Sequence, residues 1–174
     1  MTLTQIKLPR QLEADGSAGQ ILALLNRRTE KLWAGGEQLA PVLPLNAALA
    51  DALRAAKNYA HVRRGLESIT AKLAEEQRGL AKSGARRPVE DAPRVSRLLL
   101  CSNDGAERFY RRVEWLWREH GPRLLIVRIE VEEATLGTLL FGEGALAKLI
   151  MLDHKDAVAE VLRSLLRADE EGGA

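Results

Sequence analysis

Val95-Ser-Arg-Leu-Leu-Leu-Cys-Ser-Asn-Asp-Gly105 is a short apolar run closed by four turn-forming residues, which by length and context reads as a buried strand. The period then changes. Phe109, Val113, Leu116 and Trp117 share one side of a helix from Ala106 to about Glu119, and His120-Gly121-Pro122 stops it with glycine and then proline. Arg123 to Val131 reads as a second strand, with Val127, Ile129 and Val131 alternating against Arg128 and Glu130. A short helix from about Glu133 to Phe141 follows, then a third strand from about Ala145 to Leu152, then a last helix carrying Val158, Val161, Leu162 and Leu165. Strands and helices in strict alternation imply parallel pairing through right-handed crossovers. The expected fold class is therefore mixed α and α/β: N-terminal amphipathic helices plus a small three-stranded, mainly parallel α/β unit spanning residues 95–168.

Upstream, residues 1–16 hold Pro9, Asp15 and Gly16 without sustained periodicity and read as a loosely ordered lead-in. A first helix starts near Ser17, places Leu22, Leu25, Thr29 and Leu32 at 3,4,3 spacing, and ends at Gly35-Gly36; Pro41-Val-Leu-Pro44 reads as a rigid connector. Asn46 can cap a long helix reaching about Lys82, with Leu49, Leu53, Ala56, Ala60, Leu66, Ile69, Leu73 and Leu80 as its apolar stripe. Gly65 opposes continuity, so a break between Asn58 and Gly65 is the alternative. This gives a basic helical region over 17–83, a linker over 84–94 and a polar tail over 169–174. Because three strands are narrow, the first-half helices can cover the sheet, which leaves open whether the two halves share one core. Charge divides at the same place: residues 1–97 carry 16 Lys/Arg against 10 Asp/Glu, and residues 98–174 carry 10 against 14. The formal +2 of the chain thus conceals a basic half and an acidic half.

Composition excludes several classes. At 174 residues, 46% hydrophobic and 29% charged, the chain is that of a folded protein with a core. The start, Met1 to Arg10, holds no apolar stretch suited to a signal, and no run approaches the roughly 18 apolar residues of a membrane span, so a cytoplasmic location and no membrane partner are expected. Cys101 is the single cysteine and cannot form an internal disulfide; His61, His120 and His154 are too scattered to complete a zinc site. No metal and no cofactor are expected.

Three constellations carry candidate chemistry. On the long helix Arg54, Lys57, His61 and Arg64 recur at 3,4,3 and project from one face, with Arg27, Arg28 and Lys31 before them and Arg86 and Arg87 in the linker. Cations aligned on a rod suit the phosphates of nucleic acid, where each neutralised phosphate releases counterions. Tyr59 beside this face reads as a boundary core residue, with stacking on a base the alternative. Asn103 and Asp104 at the end of the first strand, with Asp153 and His154 at the end of the third, form a possible strand-end site, because ligands of parallel sheets bind at that edge. Cys101, between a strand and a helix N-terminus, resembles the phosphocysteine loop of sugar-transport phosphotransferase domains and, more distantly, the cysteine phosphatases. Six residues separate it from Arg108 where the phosphatase loop has five, and Asp104 and Glu107 repel phosphate, so it reads as a structural thiol.

Two family resemblances point to the ribosome. Leu98-Leu-Leu-Cys-Ser-Asn-Asp104, the helix to Gly121-Pro122, Leu124 to Ile129, Leu136-Gly137 with Gly142, and Lys148 to Leu152 resemble, in order and spacing, the kink-turn-binding ribosomal protein superfamily. Its relatives include the protein-binding C-terminal domains of release and ribosome-rescue factors. The superfamily's RNA-contacting Gly-x-Asn-Glu-x-x-Lys signature has no counterpart before the first strand, so the resemblance implies a protein contact for the acidic half. In the first half Glu37-Gln-Leu-Ala40, Leu43-Pro-Leu45, Leu49, Leu53, Ala56, Arg63-Arg-Gly-Leu66, Ile69, Lys72 and Leu73 are similar to the DarP family of bacterial large-subunit assembly factors. The expectation is a non-enzymatic, RNA- or ribosome-associated protein, its basic half on structured RNA and its acidic half on a protein partner. A helix-mediated adaptor and a small α/β enzyme using the strand-end edge are the alternatives.

Overall fold

Leu98, Leu99, Leu100 and Cys101 leave no polar side on their strand, which requires cover on both faces. The computed structural model, which describes residues 6–83 and 93–172, supplies it. The elements run α1 (Arg10–Ala14), α2 (Ala18–Leu25), β1 (Thr29–Lys31), β2 (Leu39–Leu43), α3 (Ala47–Asn58), β3 (Val62–Arg64), α4 (Leu66–Ser83), β4 (Arg97–Cys101), α5 (Glu107–His120), β5 (Leu124–Ile129), α6 (Glu133–Phe141), β6 (Leu149–Leu152) and α7 (Lys155–Gly172). Leu98 and Leu100 point into one core with Leu125, Val127, Ile150 and Leu152, covered by α1, α2, α3, α6 and α7. Leu99 and Cys101 point into the other with Leu124, Ile126, Leu149 and Met151, covered by α4 and α5. The period of two along each strand thus sorts the apolar residues into two cores around one sheet.

That sheet has six strands in the order β1-β2-β5-β4-β6-β3, not the three expected from the sequence. The additional strands come from the half expected to be helical. The helix at Ser17 ends at Leu25, where Asn26 donates its side-chain amide to the Leu22 carbonyl, and Thr29–Lys31 departs as an edge strand. Pro41 does not prevent β2 from joining the interior, because pairing with β5 begins one residue later, at Val42 with Arg128. The long helix is interrupted at the expected place by a strand: Asn46 caps α3 by accepting from the Leu49 N–H, α3 ends at Asn58, Ala60 adopts φ 60° and Gly65 φ 94°. Between them Val62–Arg64 pairs with Leu152–Ile150. Strands and helices from both sides of the charge boundary therefore build the same sheet and the same two cores.

The third expected strand also runs the other way. β4 and β5 are parallel, but β6 is antiparallel to β4, with Leu98 opposite Leu152 and Cys101 opposite Leu149. The reason lies after α6. The chain doubles back along this helix until the Ala147 N–H reaches the Glu133 carbonyl at 3.0 Å, so it re-enters the sheet at the end it had just left. Gly137 permits that return, because a Cβ there would stand 2.1 Å from the Ala145 carbonyl oxygen. A Gly137→Ala variant must push the returning segment away, and is expected to lose about 1–3 kcal/mol in denaturant unfolding; an unchanged midpoint would show that the contact is not restrictive.

On the α5 side one buried carboxylate closes the loop between β1 and β2. Glu114, 2% exposed, accepts from Trp33 Nε1 at 2.9 Å, from the Glu37 N–H at 2.8 Å and from the Gln38 N–H at 2.7 Å. Burial pushes its carboxyl up, but the three donors and Arg118 outweigh burial and hold it below the usual carboxylate value. A depressed folded-state pKa means that the stabilisation is present in full above about pH 4.3 and is lost as pH falls through the lower folded value. Glu114→Ala leaves three donors unpaired and should cost about 3 kcal/mol at pH 7, with a smaller difference from wild type in acid; parallel urea melts at the two pH values measure both.

Candidate nucleic-acid interface

Arg97 opens β4 and Arg123 immediately precedes β5; their strands run parallel with Arg97 opposite Leu124, so the two guanidiniums start side by side. Glu76, from α4, stands between them. Arg97 Nε donates to Oε1 and Oε2 at 2.9 and 3.0 Å, with Nη2 2.8 Å from Oε2, while Arg123 Nη2 lies 3.7 Å from Oε1. Around this trio opens a cleft of about 810 Å³, lined also by Arg10, Arg94, Ser96, His120, Asp153, His154 and Lys155. Arg94 donates to the Leu8 carbonyl at 3.0 Å and pairs with Glu13 at 2.7 Å. Five formal cations against the two carboxylates of Glu76 and Asp153 make the cleft positive.

Its inner wall is polar and incompletely satisfied. Arg123 Nη2 and His120 Nδ1 are buried without a hydrogen-bond partner among the described residues, although burying such a group ordinarily costs about 1–3 kcal/mol. Burial pushes Arg123 below the ordinary guanidinium value, Glu76 opposing and Arg97 adding to the shift. Burial, then the charge of Arg123, likewise pushes His120 down. Both effects favour the neutral imidazole beside the arginine, against the opposing pull of Glu119 and Glu76.

An aromatic stack adjoins the cleft through His154, one of its lining residues. The rings of His61 and His154 lie 4.3 Å apart at 12°, and Tyr59 continues the stack 6.3 Å from His61 at 23°. The β3–β6 ladder sets this geometry, since the Asp153 N–H donates to the His61 carbonyl at 3.0 Å. His154 Nδ1 accepts from the Asp156 N–H at 3.1 Å, which fixes its ring at the first turn of α7. Tyr59 is 75% exposed, so it is not the boundary core residue that its neighbours in sequence imply.

The structure regroups the sequence-derived candidates. Arg54, Lys57, His61 and Arg64 do not share one helix face: Arg54 and Lys57 lie on α3, Arg54 paired with Asp51 at 3.1 Å, His61 lies in the following turn, and Arg64 lies on β3, over the Phe141 ring at 4.4 Å. Arg27 and Arg28 follow α2 and Lys31 lies on β1, at the edge of the sheet opposite β3, about 24 Å away at roughly 4.8 Å per strand. Arg28 is paired with Glu30 and with Glu130 of the acidic half. Arg86 and Arg87 lie outside the described residues. The strand-end set is divided, because antiparallel β6 carries Asp153 and His154 to the start of β4 while Asn103 and Asp104 lie beyond its end, about 20 Å along the strand at ~3.3 Å per residue. Asp104 accepts from the Glu133 N–H at 3.1 Å and caps α6. Cys101 is fully buried, its thiol pushed up to about 12 by burial, and so stays protonated at neutral pH.

Sequence reading missed Arg10, Arg94, Arg97, Arg123, Lys155 and His120. A signal was present: an arginine stands at the threshold of each of two apolar strands, and parallel pairing of those strands stacks the two. Among the described residues no group of three or more His, Cys, Asp or Glu is placed to hold a metal ion, and no helix is long and apolar enough to cross a membrane.

The sequence matches no protein-family model, and no curated protein matches it. Among solved structures the chain is similar to a Bacillus halodurans protein of unknown function, with TM-score 0.49 and 12% identity over 69% of this chain and 98% of that one. It is also similar to a 15.5 kD RNA-binding protein of Giardia lamblia, with TM-score 0.45 and 13% identity over 71% of this chain and 86% of that one.

Glu76→Gln keeps the shape of the bridge but leaves Arg97 and Arg123 without their counter-charge. The variant should lose about 2 kcal/mol in urea unfolding at low ionic strength and recover part of it in high salt, as screening relieves the repulsion; a loss indifferent to salt would assign the residue a packing role instead.

Proposed function

We propose that the protein binds RNA, with ribosomal RNA as its class of target, and that it acts as a binding protein without catalysing a reaction. An unpaired stretch of RNA lies across the cleft, phosphates toward the arginines and Lys155, bases on the exposed ring of Tyr59 and the stacked histidines. The observation that carries this reading is the conjunction of a net-positive cleft with an aromatic stack that adjoins it through His154. Single-stranded RNA is held by that combination, cations for the backbone and ring faces for the bases. The resemblances of both halves to ribosome-associated families, on the segments quoted above, support ribosomal RNA. The strand-end enzyme is disfavoured by the separation of Asn103 and Asp104 from Asp153 and His154.

A protein contact belongs to the same reading and falls on the outer face of α5. Trp115 is 50% exposed there beside Arg108, Arg111 and Arg112, around a shallow groove of about 500 Å³. Exposed tryptophan with arginine is the composition of interface anchors.

Binding of a short unstructured oligoribonucleotide, measured by anisotropy across a salt series, tests the RNA reading. Affinity should fall steeply with salt, Lys155→Glu should flatten the slope, and Tyr59→Ala should weaken binding about tenfold, within the range for loss of one stacked base. Arg28→Gln, at the far edge of the sheet, should change affinity by less than about twofold. Salt-independent affinity, or a Tyr59 variant that binds as wild type, would remove the assignment. A photo-crosslinker at position 115 in ribosome-containing extract should give adducts to protein; adducts to RNA would move the α5 face onto the RNA path.

A further inference from the structure

The inner wall of the cleft holds donor capacity that the fold does not use. Arg123 has a side chain only 12% exposed, and its Nη2 stands 3.7 Å from the nearest Glu76 oxygen, beyond hydrogen-bond distance. His120 Nδ1 is buried and unpartnered on the same wall, while Arg97 presents two nitrogens to Glu76 from the neighbouring strand. Glu76 thus occupies the position of an anion: a two-oxygen group between two guanidiniums, well bonded to one and short of the other. His154, which also lines the cleft, connects it to the aromatic stack.

We infer that the cleft receives a terminal phosphomonoester, the phosphorylated end of a nucleic-acid strand, which takes over from Glu76 as the partner of Arg97 and Arg123. The phosphate site stands on the cleft itself; that the phosphate ends an RNA strand rests on the RNA-binding reading. The chemistry separates an end from a mid-chain position. A phosphodiester carries one charge and two free oxygens, and its chain must continue on both sides of a phosphate set among side chains only 12–19% exposed. A monoester carries close to two charges and three acceptor oxygens on one tip, so it can enter end-on and engage Arg97, Arg123 and His120 together. Its nucleoside then lies against His154 and His61.

Three otherwise identical oligoribonucleotides, one with a 5′-phosphate, one with a 3′-phosphate and one with hydroxyls at both ends, decide the matter by anisotropy. One phosphorylated strand should bind about tenfold or more tightly than the unphosphorylated one, as expected for added charge-assisted hydrogen bonds. The end that is favoured identifies the source of the phosphate. Arg123→Met should abolish the preference, so that the phosphorylated and unphosphorylated strands bind the variant with equal affinity, and a preference that survives in the variant would overturn the inference. Equal affinity of all three strands for the wild type overturns the inference and leaves the RNA reading standing.

If none of the strands binds, the RNA reading fails and inorganic phosphate judges the site. A saturable shift of the His120 imidazole NMR signals at millimolar phosphate supports it, and absence of any shift overturns it. Should Arg123→Met fail to fold, Glu76→Gln serves in its place. Freed of the competing carboxylate, that variant should bind phosphate about tenfold more tightly than the wild type, and weaker binding would overturn the exchange.

Discussion

The structure depends on one strand being enclosed on every side. β4 pairs with β5 on one edge and β6 on the other, and its side chains alternate into two cores. A run of Leu-Leu-Leu-Cys is compatible with no less, since an open face would leave a row of apolar side chains in water and an open edge a row of unpaired peptide groups. Helices must therefore cover both faces, and strands from the first half must extend a sheet that the second half alone would leave narrow. The charge boundary in the sequence is consequently not a boundary in the core.

The same enclosure explains where the charges collect. Arg97 and Arg123 stand where parallel β4 and β5 begin, so neither can follow its strand into the apolar interior, and both emerge at one rim of the sheet. Two guanidiniums brought together there need an anion, and Glu76 on α4 supplies it with bonds of 2.9 and 3.0 Å to Arg97 alone. The remaining cations arrive from α1, from the segment before β4 and from the start of α7. What distinguishes the rim from an ordinary charged edge is the incompleteness of that neutralisation, together with rings stacked beside it.

Much of this was legible in the chain. The strand-turn-helix from Val95 to His120 follows from its apolar spacing and its Gly-Pro stop, and Asn46 caps α3 as its position implies. Three short strands were not legible, because three to five residues carry too little period to distinguish a strand from a helix end or a connector. Thr29–Lys31 continued a helical spacing, Pro41 masked β2, and Val62–Arg64 lay inside an apolar stripe of helical period. The exposure of Tyr59 was not legible for a related reason: it follows from the chain leaving α3 at Ala60, a change of backbone direction that side-chain patterning does not encode.

By itself the sequence determined which segments are apolar, with what period, and where helices begin and stop, since these depend on residues within a turn or two of one another. Only the tertiary structure decided the direction of β6. A strand's alternation is the same read forwards or backwards, and direction was settled by contacts remote along the chain, the return of Ala147 to Glu133 past Gly137 and the ladder against β4. That choice carried His154 to the arginines at the start of β4 and β5 instead of to Asn103 and Asp104, and so determined which side chains could form a site at all.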